Sequence, residues 1–424
     1  MERSRTPAGT RPWALDYTPS AWDDPLDDVA RRLMPAYNSG RRRHDLRAVE
    51  ALLERAVPQR VPRHVAVVGT NGKSSTARFL AQALRRQGVR TGLYTSPHLR
   101  RWTERVQVDL EPVPDADLGS ALVRAHAAAQ AGAAAHGDVR FFDVLTLAAE
   151  NLFAEAGVQV AVFEAGIGGR LDAIRCLEPE LTLLTSIGRD HEELLGADPL
   201  DRLREKAGVA PAHSHVIAGP LPRALAGELA RLARERPFEL TQLEPAPATG
   251  DAAPAYQQAN ARLAEAGARR LGGGAAAAVG PLEVPGRFQR GVAAGVPYLA
   301  DVAHNVTAWD ALLGEVPPEP HEVVVAITPP RPATELVASL RARRDRVARV
   351  TVTGTVVRAA HDPGELAALA RAAGFDAEAI DEPTSAFASA AGRARRAGRT
   401  LLVFGSNYVV VDFLAWAEGA GSSA

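Results

Sequence analysis

The segment from Val65 to Thr76 constrains the fold of this chain more than any other. It reads Val65-Ala-Val-Val-Gly-Thr-Asn-Gly-Lys-Ser-Ser-Thr76, an apolar strand that runs into a glycine-containing loop and then into a helix with Leu80 and Leu84 on one face. Glycines let backbone N–H groups approach a phosphate, the helix N-terminus adds positive potential, and Lys73 can reach the terminal phosphates. The segment therefore predicts a nucleoside triphosphate site. The eight-residue Walker pattern needs glycine at Val67, so this loop is a shorter variant.

Apolar runs that alternate with amphipathic stretches predict an α/β fold, because strands buried on both faces of a parallel sheet need helices on each side. The first series has expected strands over residues 65–68, 91–95, 158–163 and 181–185, and helices over 25–57, 74–87 and 144–155. A Pro- and Gly-rich stretch over 281–297 precedes a second series, with expected strands over 298–302, 323–327, 347–352 and 401–404. We expect a disordered tail (1–20), a loop-bearing domain (21–290) with helices on both faces of a parallel sheet, and a smaller C-terminal α/β domain (291–424).

Composition excludes several classes of protein. With 49 Lys and Arg against 50 Asp and Glu, no basic excess is available to bind nucleic acid by counterion release. The single cysteine, Cys176, cannot form an internal disulfide and fits a reducing compartment. No apolar run approaches the ~18 residues of a membrane helix. We therefore expect a cytoplasmic protein with no nucleic acid or membrane partner, whose oligomeric state stays open.

Three polar side chains follow three different predicted strands. Ser96, Glu164 and His191 each lie just past a strand's C-terminal end, and in an open parallel sheet those ends share one ligand-binding crevice. A hydroxyl, a carboxylate and an imidazole could hold a divalent cation there, and Mg²⁺ is compatible although it prefers oxygen. From the residues alone, a solvated loop histidine is an equally good interpretation of His191.

Five ordered motifs carry a resemblance to a known family. They are Gly92-Leu-Tyr-Thr-Ser-Pro-His-Leu99, Phe141-Phe-Asp-Val-Leu-Thr146, Val160-Ala-Val-Phe-Glu-Ala-Gly-Ile-Gly-Gly-Arg-Leu-Asp172, Thr185-Ser-Ile-Gly-Arg-Asp-His191 and Arg204-Glu-Lys-Ala-Gly208. With the loop at Lys73, they resemble the dihydrofolate synthase and folylpolyglutamate synthase family of the Mur ligase superfamily. The resemblance runs from about Val65 to the C-terminus and is densest between Gly69 and Gly208.

The resemblance implies an ATP-dependent ligase that joins a small-molecule carboxylate to an amino acid, with ATP and two Mg²⁺ ions. It assigns the metal to Ser96, Glu164 and His191, and catalysis to Lys73, Lys206 and His304. Nucleotide binding falls to Thr70, Asn71, Gly72, Lys73, Ser74, Ser75, Asn260, Arg287, Asp301 and His304, and substrate binding to Phe141, Phe142, Asp143 and Asp172. In the family, the lysine that matches Lys206 is carbamylated and supports the second metal ion. Taken alone, Lys206 is more typical of an exposed surface lysine.

Three segments depart from the family pattern, and they bear on the substrate. Residues 38–46, with Arg41, Arg42 and Arg43, replace the N-terminal Leu-Gly-Leu-Glu-Arg element; they form either a solvated charge run or a clamp on an acidic substrate. Residues 301–306 keep only part of Asp-Gly-Ala-His-Asn-Pro. Residues 328–331, Thr-Pro-Pro-Arg, stand where Asp-Lys-Asp is expected.

These departures leave more than one function open. The first hypothesis is a dihydrofolate or folylpolyglutamate synthase that activates its carboxylate as an acyl phosphate. The second is a related ligase recruited to a different carboxylate and amine. A third, a nucleotide-binding module without ligase turnover, would have no need of Glu164, His191 and Lys206. A P-loop GTPase is disfavoured because the sequence has no Asn-Lys-x-Asp guanine motif.

Overall fold

The computed structural model describes residues 24–33, 46–136, 139–247, 253–272, 279 and 283–421. The tail expected over 1–20 and the Arg41 to Arg43 run lie outside these residues. No helix in the described ranges is both long enough and apolar enough to cross a membrane.

The N-terminal elements build one eight-stranded sheet. In chain order they are α1 (Pro25–Leu33), α2 (Leu46–Ala56), β1 (Arg63–Val68), α3 (Lys73–Arg86), β2 (Thr91–Tyr94), β3 (Val106–Val108), β4 (Glu111–Pro112), α4 (Asp115–His136), α5 (Phe141–Glu155), β5 (Val160–Glu164), β6 (Leu181–Leu184), α6 (Glu192–Leu195), α7 (Pro199–Ala207), β7 (His215–Ala218), α8 (Arg223–Glu235), β8 (Glu239–Gln242) and α9 (Ala255–Arg270). The strand order is β4-β3-β2-β5-β1-β6-β7-β8, and every pair from β2 to β8 is parallel. The antiparallel strands β3 and β4 close one edge.

The central strand β1 explains why this sheet needs helices on both faces. Side chains alternate along a strand, so Val65 and Val67 pack into the layer that holds α3 and α9, while Ala66 and Val68 pack into the layer with α2 and α5. All four side chains are fully buried. The continuous apolar run in the sequence reflects this double burial.

The C-terminal elements build a second sheet of six strands. They are β9 (Gln289–Ala293), β10 (Val296–Ala300), α10 (Val306–Glu315), β11 (His321–Val325), α11 (Ala333–Arg341), β12 (Val347–Val352), α12 (Pro363–Ala372), β13 (Ala377–Ala379), α13 (Pro383–Ala397), β14 (Leu401–Phe404) and α14 (Asn407–Gly421). The order is β13-β12-β11-β14-β10-β9, parallel except for the β9–β10 hairpin. The expectation of two α/β domains is confirmed.

Candidate active site

The loop after β1 is built around two glycines that no other residue could replace without strain. Gly69 has a φ of +149°, and a Cβ there would lie 1.8 Å from the hydroxyl oxygen of Thr185. Gly72 has a φ of +84°, and its Cβ would lie 2.3 Å from the amide oxygen of Asn260. The helix α3 begins directly afterwards, at Lys73. The backbone therefore presents a helix N-terminus to an open space, as a phosphate site requires.

Neighbouring strand ends hold this loop in place. The Thr185 hydroxyl, just after β6, donates to the carbonyl of Asn71 at 2.7 Å, and the Asn71 N–H donates to the Ser186 hydroxyl at 3.1 Å. The ammonium of Lys73 donates to the Thr70 carbonyl at 3.2 Å. These contacts hold the loop against the end of β6.

Glu164, at the end of β5, is a buried carboxylate in contact with two groups of this loop region. One oxygen accepts from the Ser74 hydroxyl and the other from the Ser96 N–H, both at 3.0 Å. Burial raises the pKa of Glu164, while the charge of Lys73 acts in the opposite direction. A carboxylate beside the Ser74 hydroxyl supplies the oxygen ligands that Mg²⁺ prefers.

His191 lies just before α6, in the left-handed backbone region with a φ of 52°. Its ring nitrogens lie 3.9 Å from Asp190 and 3.7 Å from Glu193. Within the described ranges, no three His, Cys, Asp or Glu side chains cluster closely enough to hold a metal ion by themselves. A cation at Ser96, Glu164 and His191 would therefore depend on phosphate and water oxygens for its remaining ligands.

Lys206, on α7, is buried, unlike an ordinary surface lysine. Its ammonium donates to the Gly69 carbonyl at 2.8 Å, so α7 contacts the first residue of the phosphate loop. Burial, with a further contribution from the charge of Lys73, lowers the pKa of Lys206 from 10.5 to about 7. The amine is therefore substantially neutral near neutral pH, which allows it to act as a nucleophile.

The second domain contributes a group of polar residues that follow β10. Asp301 accepts from the Phe288 N–H at 2.7 Å, the Ala303 N–H at 2.8 Å and the Tyr256 hydroxyl at 3.1 Å. The His304 ring nitrogen Nδ1 lies 2.9 Å from the carbonyl of Val302, which fixes the ring orientation. Asp301 thus organises the loop that carries His304.

These residues line one cavity of about 1060 Å³ between the two domains. All of the residues predicted for nucleotide, metal and catalytic roles lie in its wall: Thr70, Asn71, Gly72, Lys73, Ser74, Ser75, Ser96, Glu164, His191, Lys206, Asn260, Arg287, Asp301 and His304. Residues as far apart in the sequence as Thr70 and His304 therefore line a single site.

Of the four residues predicted for substrate binding, three line the cavity and one does not. Phe142, Asp143 and Asp172 line the cavity. Phe141 does not; it is buried in the N-terminal core, edge-on to the rings of Trp102 and Phe142. The resemblance assigned both aromatic residues to substrate, but consecutive residues at the start of α5 project in different directions, so only Phe142 reaches the cavity.

The two acidic residues of this group also hold the local backbone. Asp143 accepts from the Arg140 N–H at 2.6 Å at the start of α5. Asp172 accepts from the Gly166 N–H at 3.0 Å and the Ile174 N–H at 3.1 Å, capping the short 3₁₀ helix that follows. They shape the wall of the cavity in addition to facing it.

The cavity wall also contains residues that were not predicted for the site, among them Asp190, Asn305 and Arg331. Asp190, within the quoted motif before His191, is almost buried and faces His304 and Arg331. Burial alone would raise the pKa of Asp190, but its contact with His304 and the charge of Arg331 hold it well below its usual range. Asn305 contacts both Asp190 and Asn71. The signal for Asp190 was its place in a recognised motif, whereas Arg331 lay in a segment that departs from the family.

A further sequence signal marks Lys206. Among the 49 Lys and Arg residues of the chain, only Lys73 and Lys206 are lysines. Arginine cannot lose its proton in a protein, whereas a buried lysine can. All of the remaining 47 basic positions are arginine, and the two lysines both face the cavity.

No protein-family model matches the chain. Among curated proteins, it is 34% identical over 277 residues to the Escherichia coli K12 dihydrofolate synthase/folylpolyglutamate synthase, covering 59% of this chain and 63% of that protein. It is 37% identical over 179 residues to the Lacticaseibacillus casei folylpolyglutamate synthase, covering 42% of each. The aligned region spans less than two thirds of either relative.

Solved structures match over nearly the whole chain. E. coli FolC in complex with DHPP and ADP has a TM-score of 0.78 at 25% identity, covering 95% of this chain and 99% of that one. Mycobacterium tuberculosis folylpolyglutamate synthase complexed with ADP has a TM-score of 0.81 at 25% identity, covering 92% and 97%. The Yersinia pestis bifunctional enzyme with Mn, AMPPNP and L-glutamate bound has a TM-score of 0.76 at 25% identity, covering 94% and 99%.

Two α/β domains that enclose a cavity against a glycine loop define a two-domain P-loop protein. Both kinds of comparison lead to the same relatives. The chain is similar to proteins of the folylpolyglutamate synthase/dihydrofolate synthase family in both sequence and structure.

Proposed function

We propose that this protein is an ATP-dependent amide ligase that joins a small-molecule carboxylate to an amino acid. The observation that carries the proposal is the convergence of Lys73, Glu164 and Lys206 from the first domain with Asp301 and His304 from the second on one cavity. A site that only retained a nucleotide would not require a buried carboxylate and a buried, neutralised lysine, so the non-catalytic alternative is disfavoured.

The reaction would proceed in two steps. A carboxylate oxygen of the first substrate attacks the γ-phosphorus of ATP, giving an acyl phosphate and releasing ADP. The neutral amine of the second substrate then attacks the acyl carbon, the C–O bond to phosphate breaks, and the amine loses a proton. The products are the amide, ADP and inorganic phosphate.

In the first step, the residues of this chain would mainly position and neutralise charge. The N–H groups at the start of α3 and the ammonium of Lys73 would hold the transferring phosphoryl group. Ser96, Glu164 and His191 would hold Mg²⁺, which when bound offsets the charge on the phosphate oxygens. The Yersinia relative has Mn and AMPPNP bound, which supports a divalent cation and a nucleotide as ligands of this protein.

Lys206 is proposed to be carbamylated. A neutral amine is required to attack carbon dioxide, and the lowered pKa of Lys206 provides one near pH 7. The resulting anion would support a second cation. It would also remove the electrostatic conflict between two ammonium groups that share one wall of the cavity.

The substrates we put first are a dihydropteroate-like carboxylate or a folate together with L-glutamate. Relatives supply the support: E. coli FolC holds DHPP, and the Yersinia enzyme holds L-glutamate. The cavity agrees with an aromatic acid, because Phe142 and the partly exposed Leu171 and Leu194 line its wall and would cover an apolar body. Those two leucines are 39% and 57% exposed, so a bound ring would bury surface that now faces solvent.

The second candidate is a related ligase that acts on a different acid and amine. Its support is the wall formed by Thr328, Pro330 and Arg331, which lines the cavity where the family has Asp-Lys-Asp.

We also propose residue 290 as the end of the first domain, close to the start of β9 at Gln289, and a cytoplasmic location.

The test is ADP formation by purified protein with ATP and Mg²⁺. Dihydropteroate plus L-glutamate is compared with tetrahydrofolate plus L-glutamate and with a panel of aryl carboxylates and amino acids. We expect ADP only when both an acid and an amine are present. ADP release that needs neither substrate, or that no pair stimulates, would contradict the ligase proposal, and a better pair than dihydropteroate plus glutamate would favour the recruited ligase.

A further inference from the structure

Asp190 is a carboxylate of the first domain that faces three side chains of the second. Its Oδ2 accepts a hydrogen bond from the Asn305 amide at 3.0 Å and lies 3.5 Å from the His304 Nε2. Its Oδ1 lies 3.6 Å from the Arg331 guanidinium. The Asp190 side chain is only 11% exposed. One nearly buried charge therefore sits at the junction of the two domains.

The contacts continue from Asn305 to the phosphate loop. The Asn305 amide also donates to the Asn71 side-chain oxygen at 3.0 Å, and the Asn71 amide donates back to Asn305 at 3.2 Å. The same Asn305 oxygen accepts from the Ala308 N–H and caps α10. Asp190 thus orients a residue that joins the start of α10 to the loop beside Lys73.

Arg331 is the positively charged side chain that pairs with Asp190 across the two domains. Its side chain is one-fifth exposed and lines the cavity. Within the described part of the chain, its buried Nε has no hydrogen-bond partner, and Asp190 is the carboxylate that lies within ion-pair distance. Removing the cation beside a nearly buried carboxylate leaves an unpaired charge, which costs free energy. The folded position of each side chain therefore depends on the other.

We propose that Asp190 and Arg331 form an interdomain clasp that positions His304 and Asn305 against the phosphate loop. Residues 328–331 stand where Asp-Lys-Asp is expected. In this proposal their Arg331 stabilises the closed arrangement of the two domains by pairing with Asp190. Asp190 and Arg331 are positioning residues in this proposal, since they act through their neighbours. The catalytic consequence rests on the proposed ligase function, but the clasp itself does not.

The structure offers a matched control for this clasp. Arg100, in the first domain, and Glu418, on α14 of the second, form another interdomain ion pair at 2.6 Å. Glu418 is 61% exposed, and neither residue lines the cavity. Exposed pairs of this kind contribute little. Glu418→Gln therefore removes an interdomain charge pair without touching the clasp.

The first test measures domain separation in the full chain by single-molecule fluorescence energy transfer. Dyes are attached to Val123→Cys and Leu369→Cys, two exposed positions in different domains. The native Cys176 is buried, and its thiol pKa is raised to about 12, so it should not be labelled. With ADP bound, we expect Asp190→Asn and Arg331→Met each to increase the open population about fivefold or more, and Glu418→Gln to match the parent. Distributions of Asp190→Asn and Arg331→Met that equal the parent would overturn the clasp.

The second test is kinetic and uses the same variants in ADP-release assays. We expect Asp190→Asn and Arg331→Met each to lower kcat/KM on the order of tenfold, with Arg331→Lys recovering most of the loss. The double variant should be no worse than Asp190→Asn alone, whereas fully additive losses would contradict a shared function. If the parent protein shows no ligase turnover, the proposed function fails, and the fluorescence test still decides the clasp.

Discussion

Lys206 should take up carbon dioxide in preference to an ordinary lysine, and the structure gives the size of the preference. A lysine with the usual pKa of 10.5 is neutral in about one molecule in three thousand at pH 7, whereas a pKa of about 7 leaves about half neutral. The reactive free amine is therefore about 10³-fold more abundant at Lys206. Because only the neutral amine attacks carbon dioxide, the rate of carbamylation at a fixed concentration of dissolved carbon dioxide should rise through pH 7 and level off about one pH unit higher.

The assay is ¹³C NMR of the protein in ¹³C-labelled bicarbonate, combined with alkyl trapping of the carbamate and peptide mass spectrometry. The chain is well suited to this experiment because Lys73 is its only other lysine. Lys206→Arg keeps the charge but cannot be neutral, and it should abolish the signal and most activity. Lys206→Ala should likewise lose activity, with partial rescue by formate or acetate as substitute anions.

Two results would refute this reasoning. A carbamate that persists in Lys206→Arg would place the modification elsewhere. An unmodified Lys206 at saturating carbon dioxide, together with an active Lys206→Ala enzyme, would show that the buried amine has another role. Lys73→Arg is the matched control, and it should leave the Lys206 carbamate in place.

The remaining predictions concern the phosphate loop and the metal site. Lys73→Ala and Glu164→Gln should each abolish ADP formation while the circular dichroism spectrum stays native; near-normal turnover in either would make the site assignment wrong. Gly69→Ala should destabilise the protein by about 1–3 kcal/mol in denaturant titrations and lose nucleotide binding, because its Cβ would collide with Thr185. Gly227→Ala, on the exposed part of α8 with open space around it, should be neutral or stabilising by up to about 1 kcal/mol; equal losses in both glycine variants would contradict the steric argument.

The fold was largely predictable because most of its strands are buried on both faces. The runs at Val65 and Val323 are continuous apolar segments, and each became a central strand. The strands that the sequence reasoning missed are short or lie toward a sheet edge. β8, for example, alternates between exposed and half-buried residues, so no apolar run marks it.

The site was predictable where a residue belongs to a motif and less so where it acts through a tertiary contact. Lys73 and Glu164 follow strand ends, and topology alone brings them together. Lys206 looked like a surface lysine because helix periodicity cannot show that α7 packs beneath Gly69. Arg331 was unpredictable for a different reason: Asp190, the carboxylate that it faces, comes from the other domain.

The central claim, activation of a carboxylate as an acyl phosphate, is tested most directly by oxygen transfer. The acid substrate is labelled with ¹⁸O in both carboxyl oxygens, and the products of one turnover are analysed by mass spectrometry. Attack on the γ-phosphorus predicts one ¹⁸O in inorganic phosphate, one in the amide carbonyl and none in ADP. Unlabelled phosphate, or label in a released AMP, would contradict the account.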